Sequence, residues 1–187
     1  MTDIMMVSGR SFDLLDVETH DYQIEDIAHA LSHLCRFTGH TRTLYTVAQH
    51  SVFVSMLVPP EQALAGLLHD AAEAYIGDVA KPLKSLLPDY QAIEARIERA
   101  LRRRFFVPAD LSPEIKLADR VMLATEKRDL MPPAATQWAR IAGIEPLGQR
   151  LVAWSPEMAR VAFLQRFAEL TREGVCATSA GWAQPVA

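Results

Sequence analysis

The stretch LLHDAAEAYIGD, residues 67–78, decides how the chain is interpreted, because it places one histidine and several acids among leucines and alanines. It is predicted to be helical, so His69 and Asp70 would point about 100° apart, with Glu73 one turn after His69. Charged side chains are rarely buried unless they are paired or bind a metal. The stretch therefore indicates a metal site, although the HD pair alone would also suit a histidine packed in the core.

Helical patterns dominate the rest of the chain. Apolar residues recur at helical spacing, and both Ser112-Pro113 and Ser155-Pro156 have the serine cap and first-turn proline of a helix start. Helices are predicted over residues 24–36, 46–58, from 61 through the opening stretch, 90–105, 112–130 and 155–174. The second of these is rich in β-branched residues, so a strand is the alternative there. With residues 7–24 and 131–154 irregular, the sequence predicts an all-α fold of six or seven helices.

Composition predicts one domain of an ordinary globular protein. The chain has 187 residues and a net charge of -4, so no overall field attracts nucleic acid polymers or anionic membranes. We expect a domain over residues 1–176 and a flexible tail over 177–187. Cys35 and Cys176 form no disulfide or zinc pattern, and no signal peptide or membrane helix is evident. A cytoplasmic protein is expected, and its amphipathic helices leave room for a homodimer or higher homo-oligomer.

Three consecutive arginines, residues 102–104, invite a nucleic-acid interpretation. Glu98 precedes Arg102 by four residues, which is the spacing of an exposed ion pair on a helix. We therefore predict a solvated helix face.

Two further polar residues stand in apolar helices. His50 lies within VAQHSVFV, and Asp119 lies within IKLADRVML. With His69 and Asp70 they would supply two imidazoles and two carboxylates to one core. Such a mixed set suits Mn, Co, Zn, Mg, Fe or Ni, with open positions for water and substrate.

These motifs resemble the HD-domain metal-dependent phosphohydrolases. The resemblance rests on VAQHS, LLHDAAE and LADRV, and it extends to SGRSFDLLD, IAHALSHLCRFTGH and IGDVAKPLK, so that it covers roughly residues 8–130. It is greatest to the small HD-type deoxynucleoside 5′-monophosphatases, whose relatives include deoxynucleoside triphosphohydrolases. The resemblance implies a helical HD-domain bundle with one divalent metal ion in its core, held by His50, His69, Asp70 and Asp119.

The resemblance also implies roles for residues around the ion. Glu73 would act as acid, base or proton relay, Asp78 would lie near the sugar and the phosphorus, and Arg36 would bind phosphate. Lys81 could neutralise further charge on the phosphate oxygens. Phe37 stands where the monophosphatases have a tryptophan that crowds the 2′-hydroxyl, and this departure leaves the deoxyribose preference open.

The sequence leaves the roles of several other polar and aromatic residues open. His29 and His33 have the spacing of a zinc pair, but Ala30 replaces the glutamate of HExxH, so a zinc role is not favoured. His29 is instead a candidate for lining the substrate pocket beside Arg36. Arg10 could reach the pocket from a turn, and Trp138 could stack on a base or pack in the core.

The sequence thus predicts an enzyme that hydrolyses phosphate from small nucleotides, as a 5′-nucleotidase or a triphosphohydrolase. The partner would be a nucleotide, with no nucleic acid polymer and no membrane. Two alternatives are an HD hydrolase of cyclic nucleotides or alarmones, and a non-catalytic nucleotide-binding module with a metal. Base preference, native metal and the length of the phosphate chain are left open.

Overall fold

The computed structural model describes residues 3–133 and 138–172, and within them the chain is an assembly of eight α-helices with one small sheet. The strands β1 and β2 span Asp3–Met5 and Ser11–Asp13 and pair antiparallel, with Ile4 opposite Phe12. The helices are α1 (Ile24–His33), α2 (Val47–Leu57), α3 (Ala63–Leu67), α4 (Glu73–Ile76), α5 (Lys81–Lys84), α6 (Pro88–Arg104), α7 (Pro113–Leu130) and α8 (Pro156–Arg172). The predicted all-α fold is confirmed. The predicted tail, residues 177–187, lies outside the described residues.

Capping residues explain where the long helices begin. Ser112 Oγ accepts a hydrogen bond from the amide of Ile115 at the start of α7, as its serine-proline pattern predicts. The Thr46 side chain does the same for the amide of Gln49 at the start of α2. Residues 47–57 are therefore helical despite their β-branched content, and the strand alternative is wrong.

The opening stretch is not one continuous helix, which corrects the prediction. Residues 68–72 form turns between α3 and α4, held by hydrogen bonds three residues apart, such as Glu73 N to Asp70 O at 3.0 Å. The His69 imidazole bonds the carbonyl oxygen of Gly66, which a continuous α-helix would have paired with the amide of residue 70. The break leaves both residues of the HD pair free to face the protein interior.

Helix α2 lies at the centre of the bundle and contacts α1, α3, α7 and α8. Its closest neighbour is α3, because Gly66 has no side chain. A Cβ at Gly66 would lie 3.2 Å from Val58 Cγ2 and 3.3 Å from Ser55 Cα. Two apolar clusters fill the space around α2, and together they fix the relative positions of α2, α3 and α7.

Two peripheral features complete the fold. The arginine run is ion-paired as predicted: Arg102 Nη2 lies 3.0 Å from Glu98 Oε2. His20 lies in the loop before α1 and packs edge-on against Phe12 and Tyr22, with ring centroids 4.9 and 4.8 Å away. Among the described helices, none has the length and apolar character to cross a bilayer.

Candidate metal centre

Separate elements bring two histidines and a carboxylate to one point. His50 projects from α2, His69 from the turn between α3 and α4, and Asp119 from α7. Their potential ligand atoms all lie within 4.8 Å of one another. His50 Nε2 is 3.3 Å from His69 Nε2 and 3.4 Å from Asp119 Oδ1. The structure thus assembles a buried His-His-Asp cluster.

Asp70 lies beside this cluster. Its Oδ2 is 3.1 Å from His69 Nε2 and 3.6 Å from His50 Nε2. Burial alone would raise the pKa of Asp70, but His69, His50 and Arg36 outweigh burial and hold it well below its usual range. Asp70 is therefore ionised beside the two imidazoles, and its negative charge would stabilise a cation bound there.

The tautomers of the two imidazoles follow from their outer partners. His69 Nδ1 donates to the Gly66 carbonyl oxygen at 2.8 Å, since a carbonyl oxygen only accepts. His50 Nδ1 is 2.6 Å from Glu126 Oε1, a carboxylate. Burial and Arg36 lower the pKa of His50, but Glu126 and Asp119 outweigh them and raise it to about 9. When both imidazoles are neutral, their Nε2 lone pairs face each other across 3.3 Å, where a cation could bind between them. This arrangement is typical of metal-bound histidines.

The spacing of the donor atoms also fits a metal. At bond lengths of about 2.1 Å, two ligands on one ion lie roughly 3.0–3.4 Å apart at octahedral or tetrahedral angles. The separations of His50 Nε2 from His69 Nε2 and from Asp119 Oδ1, 3.3 and 3.4 Å, match that range. In addition, Glu73 Oε2 is buried without a hydrogen-bond partner, as expected of a group that faces a bound water. The residues present therefore fit a divalent ion.

Glu73 and Asp78 lie near the cluster as acids with raised pKa values. Burial, together with Asp70 and Asp78, raises the pKa of Glu73 well above its usual range. Burial also raises the pKa of Asp78, against the opposing effect of Arg36. Both shifts favour the protonated form of each acid relative to a free carboxyl group, and both acids lie where they could exchange a proton with a group at the cluster.

Arg36 reaches the same region from the loop between α1 and α2. The loop is closed by Arg36 N to Tyr45 O at 2.9 Å, and Phe37 and Thr38 have positive φ values of 56° and 55°. Such backbone costs about 1–3 kcal/mol per residue and is more frequent at functional sites than elsewhere. The turn places Arg36 Nη1 3.6 Å from Asp70 Oδ2. Arg36 thus presents a cation to the candidate metal centre.

The lysine beside the site is Lys84. Lys81 is exposed at the start of α5, whereas Lys84 is partly buried and its Nζ lies 3.9 Å from Glu73 Oε1. Lys84 Nζ also bonds Glu94 Oε1 at 2.6 Å. Lys84 therefore contacts Glu73 and Glu94, whereas Lys81 at the start of α5 is exposed, a difference that the pattern KPLK does not reveal.

Aromatic and basic side chains lie at the rim of the centre. The Arg36 guanidinium carbon is 5.3 Å from the Phe37 ring centroid, and the Trp138 ring is 6.0 Å from that of Phe37. Arg140, on the same 3-10 turn as Trp138, donates from Nη2 to Asp119 Oδ2 at 2.6 Å. Trp138 therefore belongs to a partly exposed aromatic pair beside the candidate ligands, and it is not a core residue.

Two other candidates lie elsewhere. Arg10 pairs with Asp21 at 2.9 Å, on the exposed surface. His29 stacks on His33 with a centroid distance of 4.3 Å and lies near Glu157 at the start of α8. Within the described ranges, no hydrogen bond or ion pair joins His29 to the cluster.

Glu126 is a site residue that sequence reasoning missed. It is fully buried on α7 and contacts both His50 and Arg36. Glu126 follows Asp119 by seven residues, two helical turns, so both lie on the same face of α7. This seven-residue spacing, with the largely apolar run VMLAT between the two acids, is the sequence signal that could have identified Glu126.

The fold and the cluster define an all-helical protein with a candidate histidine–carboxylate metal centre. No protein-family model matches the chain. It is 40% identical over 178 residues to the uncharacterized protein YfdR of Escherichia coli K12, covering 95% of this chain and 100% of that protein. It is 34% identical over 185 residues to the uncharacterized protein RCAP_rcc00048 of Rhodobacter capsulatus, covering 89% and 94%. The chain belongs to the family of these two proteins.

More distant similarity extends to proteins named 5′-deoxynucleotidase. One, from Vibrio cholerae, is 29% identical over 105 residues, covering 56% of this chain and 45% of that protein. Another, from Vibrio atlanticus, is 30% identical over 96 residues, covering 49% and 42%. In both cases the match spans less than half of the nucleotidase, so the relationship is distant.

Proposed function

We propose that this protein is a metal-dependent phosphohydrolase that removes phosphate from small nucleotides, as a 5′-nucleotidase or a nucleoside triphosphohydrolase. The observation that carries the proposal is the convergence of His50, His69 and Asp119, with Asp70 beside them. The distant similarity to 5′-deoxynucleotidases supports the nucleotide as substrate.

The chain's own residues account for the steps of hydrolysis. A divalent ion held by His50, His69, Asp70 and Asp119 would supply a Lewis acid and an acidified water. Glu73, whose Oε2 lacks a partner, is the group proposed to take the proton as water attacks phosphorus. The bond from phosphorus to the 5′-oxygen would break, and that oxygen would take the proton from Glu73 as the nucleoside leaves, with phosphate or triphosphate as the other product.

Cations around the centre are proposed to hold the phosphate. Arg36 can donate two parallel hydrogen bonds to phosphate oxygens, and its Nη1, 3.6 Å from Asp70 Oδ2, would lie near an ion held by Asp70. Lys84 lies on the Glu73 side and could neutralise developing charge in the role first expected of Lys81. Asp78 is proposed to lie near the sugar.

The base is proposed to lie at the aromatic rim. Phe37 and Trp138 present two partly buried rings with centroids 6.0 Å apart, next to Arg36. Aromatic faces stack on any base, so this surface supports nucleotide binding without predicting which base is preferred. The proposed substrate-binding role of His29 has less support, because its ring stacks on His33 and, within the described residues, no ring contact joins it to Phe37 or Trp138.

A nucleotide screen tests the proposal. Purified protein, loaded in turn with Mn²⁺, Co²⁺, Mg²⁺ or Zn²⁺, is assayed for release of nucleoside and of phosphate, pyrophosphate or triphosphate. The substrates are ribo- and deoxynucleoside mono-, di- and triphosphates, with cyclic nucleotides and an alarmone alongside. At least one 5′-nucleotide should be hydrolysed. Asp70→Asn should lower kcat/KM about a thousandfold, because the ion contributes several kcal/mol of transition-state stabilisation.

Asp110→Asn is the control, since Asp110 is exposed and, within the described residues, no hydrogen bond or ion pair joins it to the cluster. It should leave the rate within about twofold of wild type, as expected for an exposed substitution. The absence of hydrolysis with every metal, or equal rates for Asp70→Asn and wild type, would contradict the proposal and favour a non-catalytic binding module.

A further inference from the structure

Glu126 is a buried carboxylate that contacts two functional residues with its two oxygens. Its side chain has 0% exposure. Oε1 lies 2.6 Å from His50 Nδ1. Oε2 accepts from Arg36 Nε at 3.2 Å and lies 3.1 Å from Arg36 Nη2. One carboxylate therefore joins a candidate metal ligand to the candidate phosphate-binding arginine.

The contact with His50 determines how that imidazole presents its other nitrogen. A carboxylate at Nδ1 keeps the proton on that atom and leaves the Nε2 lone pair directed toward His69, 3.3 Å away. It also fixes the ring's rotation and makes Nε2 a more basic ligand. Without the Oε1 contact, His50 could rotate or carry its proton on the nitrogen that faces the centre.

The contact with Arg36 determines which part of the guanidinium faces the site. Two of its nitrogens, Nε and Nη2, are occupied by Glu126 Oε2. The remaining nitrogen, Nη1, lies on the side of Asp70 at 3.6 Å. A guanidinium group held by Glu126 along one edge is rigid. Its other edge can therefore bind an incoming oxyanion with little loss of conformational entropy.

We propose that Glu126 is a positioning residue that couples metal binding to phosphate binding, by orienting His50 toward the ion and Arg36 toward the phosphate. The inference rests on the proposed function, and it adds a residue that contacts both a proposed metal ligand and the proposed phosphate-binding arginine. It requires that a single change at Glu126 weaken the binding of the ion and of the phosphate together, before any chemistry takes place.

Asp129, on the same helix, provides a matched control. Its side chain is only 3% exposed, and its carboxylate pairs with Arg128 at 2.6 Å and with Arg150 at 2.7 Å. It also accepts from the amide of Leu151 at 2.9 Å. Asp129 thus resembles Glu126 in burial and ion pairing, but it anchors the segment before α8 instead of the metal centre.

The experiment measures binding without turnover. Wild type, Glu126→Gln and Asp129→Asn are compared by calorimetry for the dissociation constant of Mn²⁺, and then of inorganic phosphate at saturating Mn²⁺. Glu126→Gln should weaken Mn²⁺ binding about 10–100-fold, the usual effect of losing a carboxylate behind a metal-bound histidine. It should also weaken phosphate binding, because the neutral amide has one acceptor oxygen and no charge, and so cannot hold both His50 and Arg36 as the carboxylate does. Asp129→Asn should leave both constants within about threefold of wild type, since it touches neither ligand.

Glu126→Asp provides a second variant if Glu126→Gln does not fold. The shorter carboxylate keeps the charge but cannot reach both partners, so at least one of the two constants should weaken. Wild-type constants for Mn²⁺ and phosphate in either folded Glu126 variant would overturn the coupling, as would loss of Mn²⁺ affinity with phosphate affinity unchanged in Glu126→Gln. Failure of wild type itself to bind Mn²⁺ would instead overturn the proposed function, and the inference with it.

Discussion

Two pairs of histidines in this protein differ in how they are built, although both looked like candidate metal ligands. His29 and His33 lie one turn apart on α1, and their rings stack face to face with centroids 4.3 Å apart. His50 and His69 come from separate elements, and their Nε2 atoms meet at 3.3 Å. Neighbours on one helix face lie side by side, whereas residues from separate elements can point at each other.

The surroundings of the two pairs differ as well. His50 and His69 are 0% and 8% exposed, and each has an oxygen acceptor at Nδ1. One acid near the other pair, Glu157, has a side chain that is 70% exposed and bonded to Arg160. A metal site requires convergent lone pairs, outer acceptors and buried negative charge together, and spacing along one helix supplies none of these by itself.

The largest expected difference between the two histidine pairs is the loss of activity when an acid near each pair is replaced. Glu73→Gln should lower kcat for nucleotide hydrolysis about 10²-fold or more, because the amide cannot accept the proton of the attacking water. Mn²⁺ affinity should change little, since Glu73 is not one of the proposed ligands. Steady-state kinetics and calorimetry on the same preparation measure both quantities.

Glu157→Gln is the control for that prediction, because it makes the same chemical change beside His29 and His33. Its kcat should stay within about twofold of wild type, as for other exposed positions. Equal losses of kcat in the two variants would show that the acid near the buried pair has no special role.

A smaller effect is expected from substitution of Gly66, whose carbonyl oxygen accepts a hydrogen bond from His69 Nδ1. Gly66→Ala would place a Cβ 3.2 Å from Val58 Cγ2 and 3.3 Å from Ser55 Cα, and would thus push α3 away from α2. Overpacking of this kind costs about 1–3 kcal/mol of unfolding free energy. Because the Gly66 carbonyl accepts from His69, Mn²⁺ affinity should fall as well. Urea unfolding and calorimetry measure the two changes.

Gly148→Ala serves as the control, because a Cβ there meets no atom within 4 Å. It should leave the unfolding free energy within about 0.5 kcal/mol and Mn²⁺ affinity unchanged. A Gly66→Ala protein as stable as Gly148→Ala would mean that the close approach of α3 to α2 is not required.

Much of the fold could be predicted because local signals and packing agree. Ser112 and Pro113 begin α7 as their types predict, and α7 ends at Leu130 before two prolines. The break at residues 68–72 was not predictable from local pattern, because Leu, Ala and Glu favour a continuous helix. The bond from His69 to the Gly66 carbonyl, made possible by tertiary packing, overrides that preference.

The site was partly predictable for similar reasons. His50 and Asp119 stood out as polar residues within apolar helices, and His69 and Asp70 as a motif. The choice between Lys81 and Lys84 depended on the rotation of the short helix α5, which sequence does not give.

Glu126 was missed because its neighbours in sequence include Lys127 and Arg128, so it looked like part of an ordinary charged helix end. Its burial against His50 and Arg36 depends on how α2 and α7 pack, and α7 alone does not reveal it.

The most direct test of the central claim is a crystal structure of the Mn²⁺-loaded protein with anomalous diffraction data recorded for manganese. The account predicts one strong anomalous peak about 2.0–2.3 Å from His50 Nε2, His69 Nε2 and an oxygen of Asp119, with Asp70 completing the set. A peak at His29 and His33, or no peak among the buried residues at saturating Mn²⁺, would contradict it.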